Sequence, residues 1–172
     1  MIELKNKRAQ VWVETVIYTL IFLTIIAGVL AFVTPAIYKQ RDKSAVQQSI
    51  GIMNNIDSMV SEIKFYQGNS RPLQLMISRG QLTIDGENDL VSFTVDDSAF
   101  PYGEPGQNIT QENMVISTIP RGNNFNIVMV INYSQSNLNI TYNGADTKHI
   151  FSASPTAYNI VVKNTGKSID FF

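Results

Sequence analysis

Apolar and polar residues alternate in two different rhythms along this chain, and the change between them divides it. Residues 15–38 form a run of 24 positions without a charge. At the α-helical rise this run spans about 36 Å, against roughly 30 Å for a bilayer core. Residues 16–33 are rich in Ile, Leu, Val and Phe; Tyr18, Thr19 and Thr24 carry hydroxyls that can bond the preceding turn or sit near an interface. The pattern predicts a transmembrane helix. A secretory signal fits less well, because its apolar core is about 7–15 residues long and needs a small-x-small site, which the region of Ala31 supplies poorly.

Helical periodicity continues past the charge-free run. Val46, Ile50, Met53, Ile56, Val60 and Ile63 recur at three- and four-residue steps and form one stripe, while Gln47, Asn54, Asp57, Ser61 and Lys64 fall off it. The helix is expected to end near Tyr66, with Gly68 as a C-terminal cap. Gly28 and Pro35 interrupt it, so Pro35 predicts either a kink or a break with a restart around Ser44.

Beyond Pro72 the rhythm shortens to two. Strands are predicted at 73–77, 81–84, 90–95, 114–119, 125–133, 138–142, 148–151 and 158–162. Arg79-Gly80, Asp85-Gly86, Gly122-Asn123-Asn124 and Asn143-Gly144 mark turns, and Asn-Gly suits a type I′ hairpin. Residues 100–107, with Pro101, Gly103, Pro105 and Gly106, are the longest predicted loop. The expected fold class is α+β: a long N-terminal transmembrane helix extending into a small antiparallel β-sandwich or barrel-like domain.

Composition narrows the chemistry. Among 172 residues 16% are charged, the formal net charge is −1 and there is no cysteine. Disulfides and thiolate metal sites are therefore excluded, and no basic patch argues for nucleic acid. His149 is the single histidine, so no histidine cluster can hold a metal; it is expected to be an ordinary sheet residue. Asp85, Glu87 and Asp89 alternate like the start of a calcium loop, but Leu90 stands where that loop needs glycine. With no nucleophile elbow and no phosphate loop, neither an enzyme nor a cofactor is expected. Asn108, Asn132 and Asn139 head Asn-x-Ser/Thr sequons, about as many as chance gives in a chain this rich in those residues, and are candidate glycosylation sites.

Lys5, Lys7 and Arg8 precede the apolar run and Lys39, Arg41 and Lys43 follow it, which leaves the positive-inside rule nearly tied. The sequons and the lack of cysteine favour a β domain outside the cell.

The head of the chain adds a more specific signal. After the basic cluster come Ala9-Gln10-Val11-Trp12-Val13-Glu14, immediately before the apolar run. This resembles the class III signal peptide of archaeal type IV pilins. The family's leader is cut on the cytosolic side just before a hydrophobic helix, often before Gln, with Glu at the fifth mature position. The resemblance implies processing between Ala9 and Gln10, with Lys5, Lys7 and Arg8 as leader charges. It also implies that Glu14 pairs with the new amino group of a neighbouring subunit. Such a buried pair sets register more than it adds stability. Ala9 stands where the family usually has Gly, and Trp12 and Thr15 stand where one variant has Ser and an aromatic. The resemblance covers roughly residues 5–40.

The implied organisation is a leader at 1–9, a transmembrane helix at 10–38, a helix extension at 39–68 and an extracytoplasmic β domain at 69–172. Loss of the leader removes three cations and one acid and takes the formal charge from −1 to −3. The implied function is that of a major or minor structural subunit of a type IV pilus-like surface filament. The precursor would sit in the cytoplasmic membrane, and the implied partners are copies of itself or related subunits, a prepilin peptidase, an assembly platform and membrane lipid. The alternative is a single-pass anchored adhesin or binding domain that is not polymerised.

Overall fold

A computed structural model describes residues 3–172, with side chains described from Val11 onward. The fold is α+β: one long N-terminal helix followed by two sheets that do not close into a barrel. Two compact units divide between Lys39 and Gln40.

Helix α1 spans Glu3–Ile63 and contains Pro35 without interruption, so the predicted break does not occur and Ser44 lies inside the helix. In the first unit, residues 11–39 are exposed throughout. Four threonines there fold their hydroxyls onto the preceding turn: Thr15 onto the Val11 carbonyl, Thr19 onto Thr15, Thr24 onto Leu20 and Thr34 onto Leu30, at 2.7–2.9 Å. At these four positions the hydroxyl is satisfied by the helix's own backbone. The segment is long and apolar enough to cross a membrane.

The second unit begins with the rest of α1 and continues into ten strands. These are β1 (Ser70–Leu75), β2 (Gln81–Asp85), β3 (Leu90–Ser98), β4 (Asn108–Gln111), β5 (Met114–Arg121), β6 (Asn124–Asn132), β7 (Ile140–Tyr142), β8 (Lys148–Ser152), β9 (Tyr158–Asn164) and β10 (Ile169–Phe171). One sheet has the order β1-β9-β10-β7 and the other β4-β5-β6-β3-β2-β8. The six-stranded sheet is antiparallel throughout. In the four-stranded sheet β10 pairs with β7 in parallel, a departure from the all-antiparallel expectation. The chain leaves β7, visits the other sheet as β8, returns as β9 and turns back as β10, which brings the last strand beside β7 in the same direction.

Period-two alternation decides which residues face inward. On β5, Met114, Ile116 and Thr118 are buried; on β6 their partners Ile131, Met129 and Ile127 are too. Val46, Met53, Ile56, Val60 and Ile63 of α1 join the inner residues of both sheets in a single core cluster. Each such fully buried side chain contributes about 1.5–3 kcal/mol. Ile50, on the predicted stripe, is only partly buried. Asn143 and Gly144 both have positive φ, 52° and 74°, and Tyr142 bridges Ala145 across them, as a type I′ turn requires. Asp85 pairs with Leu90 across a four-residue loop that starts at Gly86.

Two expectations about α1 are corrected. The helix stops at Ile63, before Tyr66, and its terminal carbonyls are capped from a distance. The Asn164 side-chain amide donates to Ile63 O at 2.9 Å and Lys64 O at 3.0 Å, while Gly68 donates its backbone N–H to Asn164 O at 2.7 Å. Asp57, read as off the stripe, is buried.

Candidate functional site

The residues singled out by sequence fall into separate regions. Lys5, Lys7, Arg8, Ala9 and Gln10 lie in the first turns of α1, and their side chains are outside the described residues. Glu14 follows on the exposed surface of the helix, immediately before the charge-free run, among exposed Val11, Trp12 and Ile17. Carboxylates near hydrocarbon are costly unless paired, at about 2.5–3.5 kcal/mol for a central position and less at an entrance. Gly28 lies in open space, with no atom within 4 Å of where a Cβ would stand. The helix therefore carries one acid at the start of its apolar run and a glycine with no side chain packed over it further along.

The sequons differ in availability. Asn108 is exposed on β4 and accepts from the Ser117 hydroxyl at 2.8 Å through Oδ1. Asn132 is exposed at the end of β6, where Oδ1 accepts the Ser134 N–H at 3.0 Å and the Ser134 hydroxyl at 2.6 Å. Asn139 is half-buried, and its Nδ2, the atom a glycan would occupy, donates to Asp146 at 3.3 Å.

The acidic alternation at 85–89 is used in turn construction. Buried Asp85 accepts from Asn88 N and Nδ2 and lies 3.8 Å from Lys148 Nζ. Asp89, with φ 52°, accepts the Ile140 N–H at 2.8 Å. Among the described residues no group of three His, Cys, Asp or Glu side chains could hold a metal ion. His149 sits on β8 and stacks on Tyr142 at 3.9 Å between ring centroids, with Phe151 edge-on at 4.6 Å. It fills the edge of the sheet, as an ordinary sheet residue does.

Two polar clusters were not anticipated. Asp42, on α1 and almost fully buried, pairs with Arg79 and accepts the Ala99 N–H at 2.7 Å; Arg79 also donates to the Asp96 and Asp97 carbonyls at 3.0 and 2.7 Å. Asp57 accepts from the Tyr133 hydroxyl at 3.1 Å and from Asn113 Nδ2 at 2.9 Å. Burial, with the Asp57 charge beside it, pushes the Tyr133 hydroxyl well above the usual tyrosine range. Spacing held the signal: Asp42 is four residues before Val46 and Asp57 four after Met53, which puts both carboxylates on the buried stripe.

Comparisons with protein-family models, with curated proteins and with solved structures give no match. The functional argument therefore rests on the residues themselves.

Proposed function

We propose that this chain is a pilin-like structural subunit, made as a membrane-anchored precursor and polymerised after its leader is removed. The charge-free segment of α1 holds the precursor in the cytoplasmic membrane with the β domain outside. Cleavage between Ala9 and Gln10 frees an amino group, and Glu14 of a neighbouring subunit pairs with it. The β domain is structural and displays the surface of the filament; it performs no catalysis.

The observation that carries this reading is the coincidence of three features on one helix. An apolar surface is exposed over residues 15–38, a single acid stands at its entrance, and a small residue followed by Gln lies five positions upstream of that acid. Lipid tails and helix surfaces are similarly apolar, so moving the helix from bilayer to bundle needs close packing and a polar pair more than it needs burial. Gly28 permits close packing and Glu14 supplies half of the pair.

Intact mass and N-terminal sequencing of the protein from its native membrane test the proposal. Mature chains should begin at Gln10. Chains that all retain Met1 would remove the processing step, and the anchored, unpolymerised binding domain would then be the better reading.

A further inference from the structure

Where α1 ends, three polar turns converge. The chain leaves the helix through Lys64 and Gln67. A short 3-10 turn, Ser134–Ser136, closes with Asn137 in the left-handed region at φ 52°. The β9–β10 turn brings Lys167 and Ser168. These turns enclose a cleft of about 300 Å³, which also takes in Asn139 and Phe65. Its charged lining residues are Lys64 and Lys167, and no carboxylate lines it. In a chain whose acids outnumber its bases, 14 to 13, that is a local inversion of charge. The end of a helix would ordinarily present negative carbonyl ends here. Asn164 covers two of them, at Ile63 and Lys64, so the lysines are not spent on capping.

A second cleft of about 250 Å³ shares Lys64 and Leu138 with the first. Its lining adds Ser61, Thr110, Asn113 and Gln135, all hydroxyls and amides. Of its acids, Asp57 is buried and committed to Tyr133 and Asn113, and Glu112 is exposed.

We propose that these adjoining clefts bind an acidic saccharide, with a carboxylate-bearing sugar in the first and a neutral ring in the second. Amides and hydroxyls both donate and accept, which matches the alternating demands of sugar hydroxyls. Lys64 and Lys167 supply the cations for one carboxylate; Lys64 Nζ lies over the Phe65 ring at 5.0 Å from its centroid, and that ring, 75% exposed, adds aromatic surface for the apolar side of a sugar. Volumes near 300 Å³ lie at the small end of ligand clefts and suit single rings in sequence. A bare phosphate would favour an arginine fork, and no arginine lines either cleft. The inference goes beyond the structural role proposed above and does not depend on polymerisation.

The test uses full-length protein in detergent, titrated with trigalacturonic acid and followed by saturation-transfer NMR and calorimetry. Neutral galactotriose and inorganic phosphate are the comparison probes. The acidic trisaccharide should bind with a dissociation constant of about 1 mM or tighter. Lys167→Glu should weaken it about tenfold, whereas Lys163→Glu, at an exposed β9 position outside both clefts, should not. Asn137→Gly keeps the left-handed backbone and should weaken binding about threefold by removing one amide. Circular dichroism confirms that each variant folds, with Lys167→Gln as the substitute should the charge reversal not do so. No binding of the trisaccharide, equal binding of the neutral sugar, full displacement by phosphate, or a Lys167 variant that binds like the parent would each overturn the proposal.

Discussion

Asn164 caps a helix that ended a hundred residues earlier in the chain. Its Nδ2 donates to the carbonyls of Ile63 and Lys64, its Oδ1 accepts the Gly166 N–H at 2.7 Å, and its own N–H goes to Asn69 O at 2.9 Å. One buried side chain thus fixes the helix terminus and the β9–β10 turn together. Asn164→Ala leaves two helix carbonyls without their side-chain donor. It should lower domain stability by about 2–3 kcal/mol, measured by urea unfolding of the full chain in detergent. Asn164→Asp should be worse, because a carboxylate would face carbonyl oxygens.

The Asp42–Arg79 pair predicts an asymmetry. Arg79→Met leaves a buried carboxylate with the Ala99 N–H as its remaining described partner and should cost about 2–3 kcal/mol, less than a fully buried pair because Arg79 is partly solvated. Asp42→Asn retains a hydrogen-bonding oxygen and removes the buried charge, so it should cost about 1 kcal/mol. Equal losses in the two variants would contradict this account.

Tyr133 gives the domain an alkaline limit. Its hydroxyl is held protonated in the folded state and ionises near pH 10 once unfolded, so the folded state binds the proton more tightly. That contribution is fully present below about pH 10 and is lost progressively as pH rises above the unfolded value. Unfolding free energy should therefore fall from about pH 10 upward. Tyr133→Phe should flatten that slope while costing about 1 kcal/mol at neutral pH through the lost bond to Asp57.

Variants at Gly28 and Glu14 test the proposed assembly separately from folding. Gly28 has open space around it, so Gly28→Leu should leave the thermal unfolding of the β domain unchanged within about 0.5 kcal/mol. In native cells the same variant should reduce filaments seen by electron microscopy, as should Glu14→Ala. Normal filaments in Glu14→Ala cells would exclude the proposed pairing.

Gly80 enters β2 with φ 94°, and a Cβ there would strike the Thr94 carbonyl and the Phe93 ring. Gly80→Ala should cost about 2–4 kcal/mol, because both conformation and contact oppose it. The Arg79-Gly80 turn was legible in sequence because glycine and a rhythm change coincide there. Most strands were legible for the same reason: alternating Val, Ile and Phe on β3, β5 and β6 have one reading when one face is buried. β4 is short and polar at three of its four positions, Asn108, Thr110 and Gln111, and β10 has three residues with Asp170 at its centre, so local pattern gave no handle on them. The parallel pairing of β10 with β7 and the cap from Asn164 are set by distant partners. The clefts were illegible for the same reason: Lys64, Asn137 and Lys167 are remote in the chain and converge only through the fold. The membrane-type helix needed no such convergence, since its length and lack of charge are local properties.

The threonines of α1 have a mechanical consequence. Thr15, Thr19, Thr24 and Thr34 each bond within their own helix, so none requires a mate from the surroundings. On the proposed reading, a rod whose threonines are satisfied internally would trade hydrocarbon neighbours for sister rods without breaking those bonds. Sliding such a rod out of one medium and into the other would then meet little resistance from those four side chains.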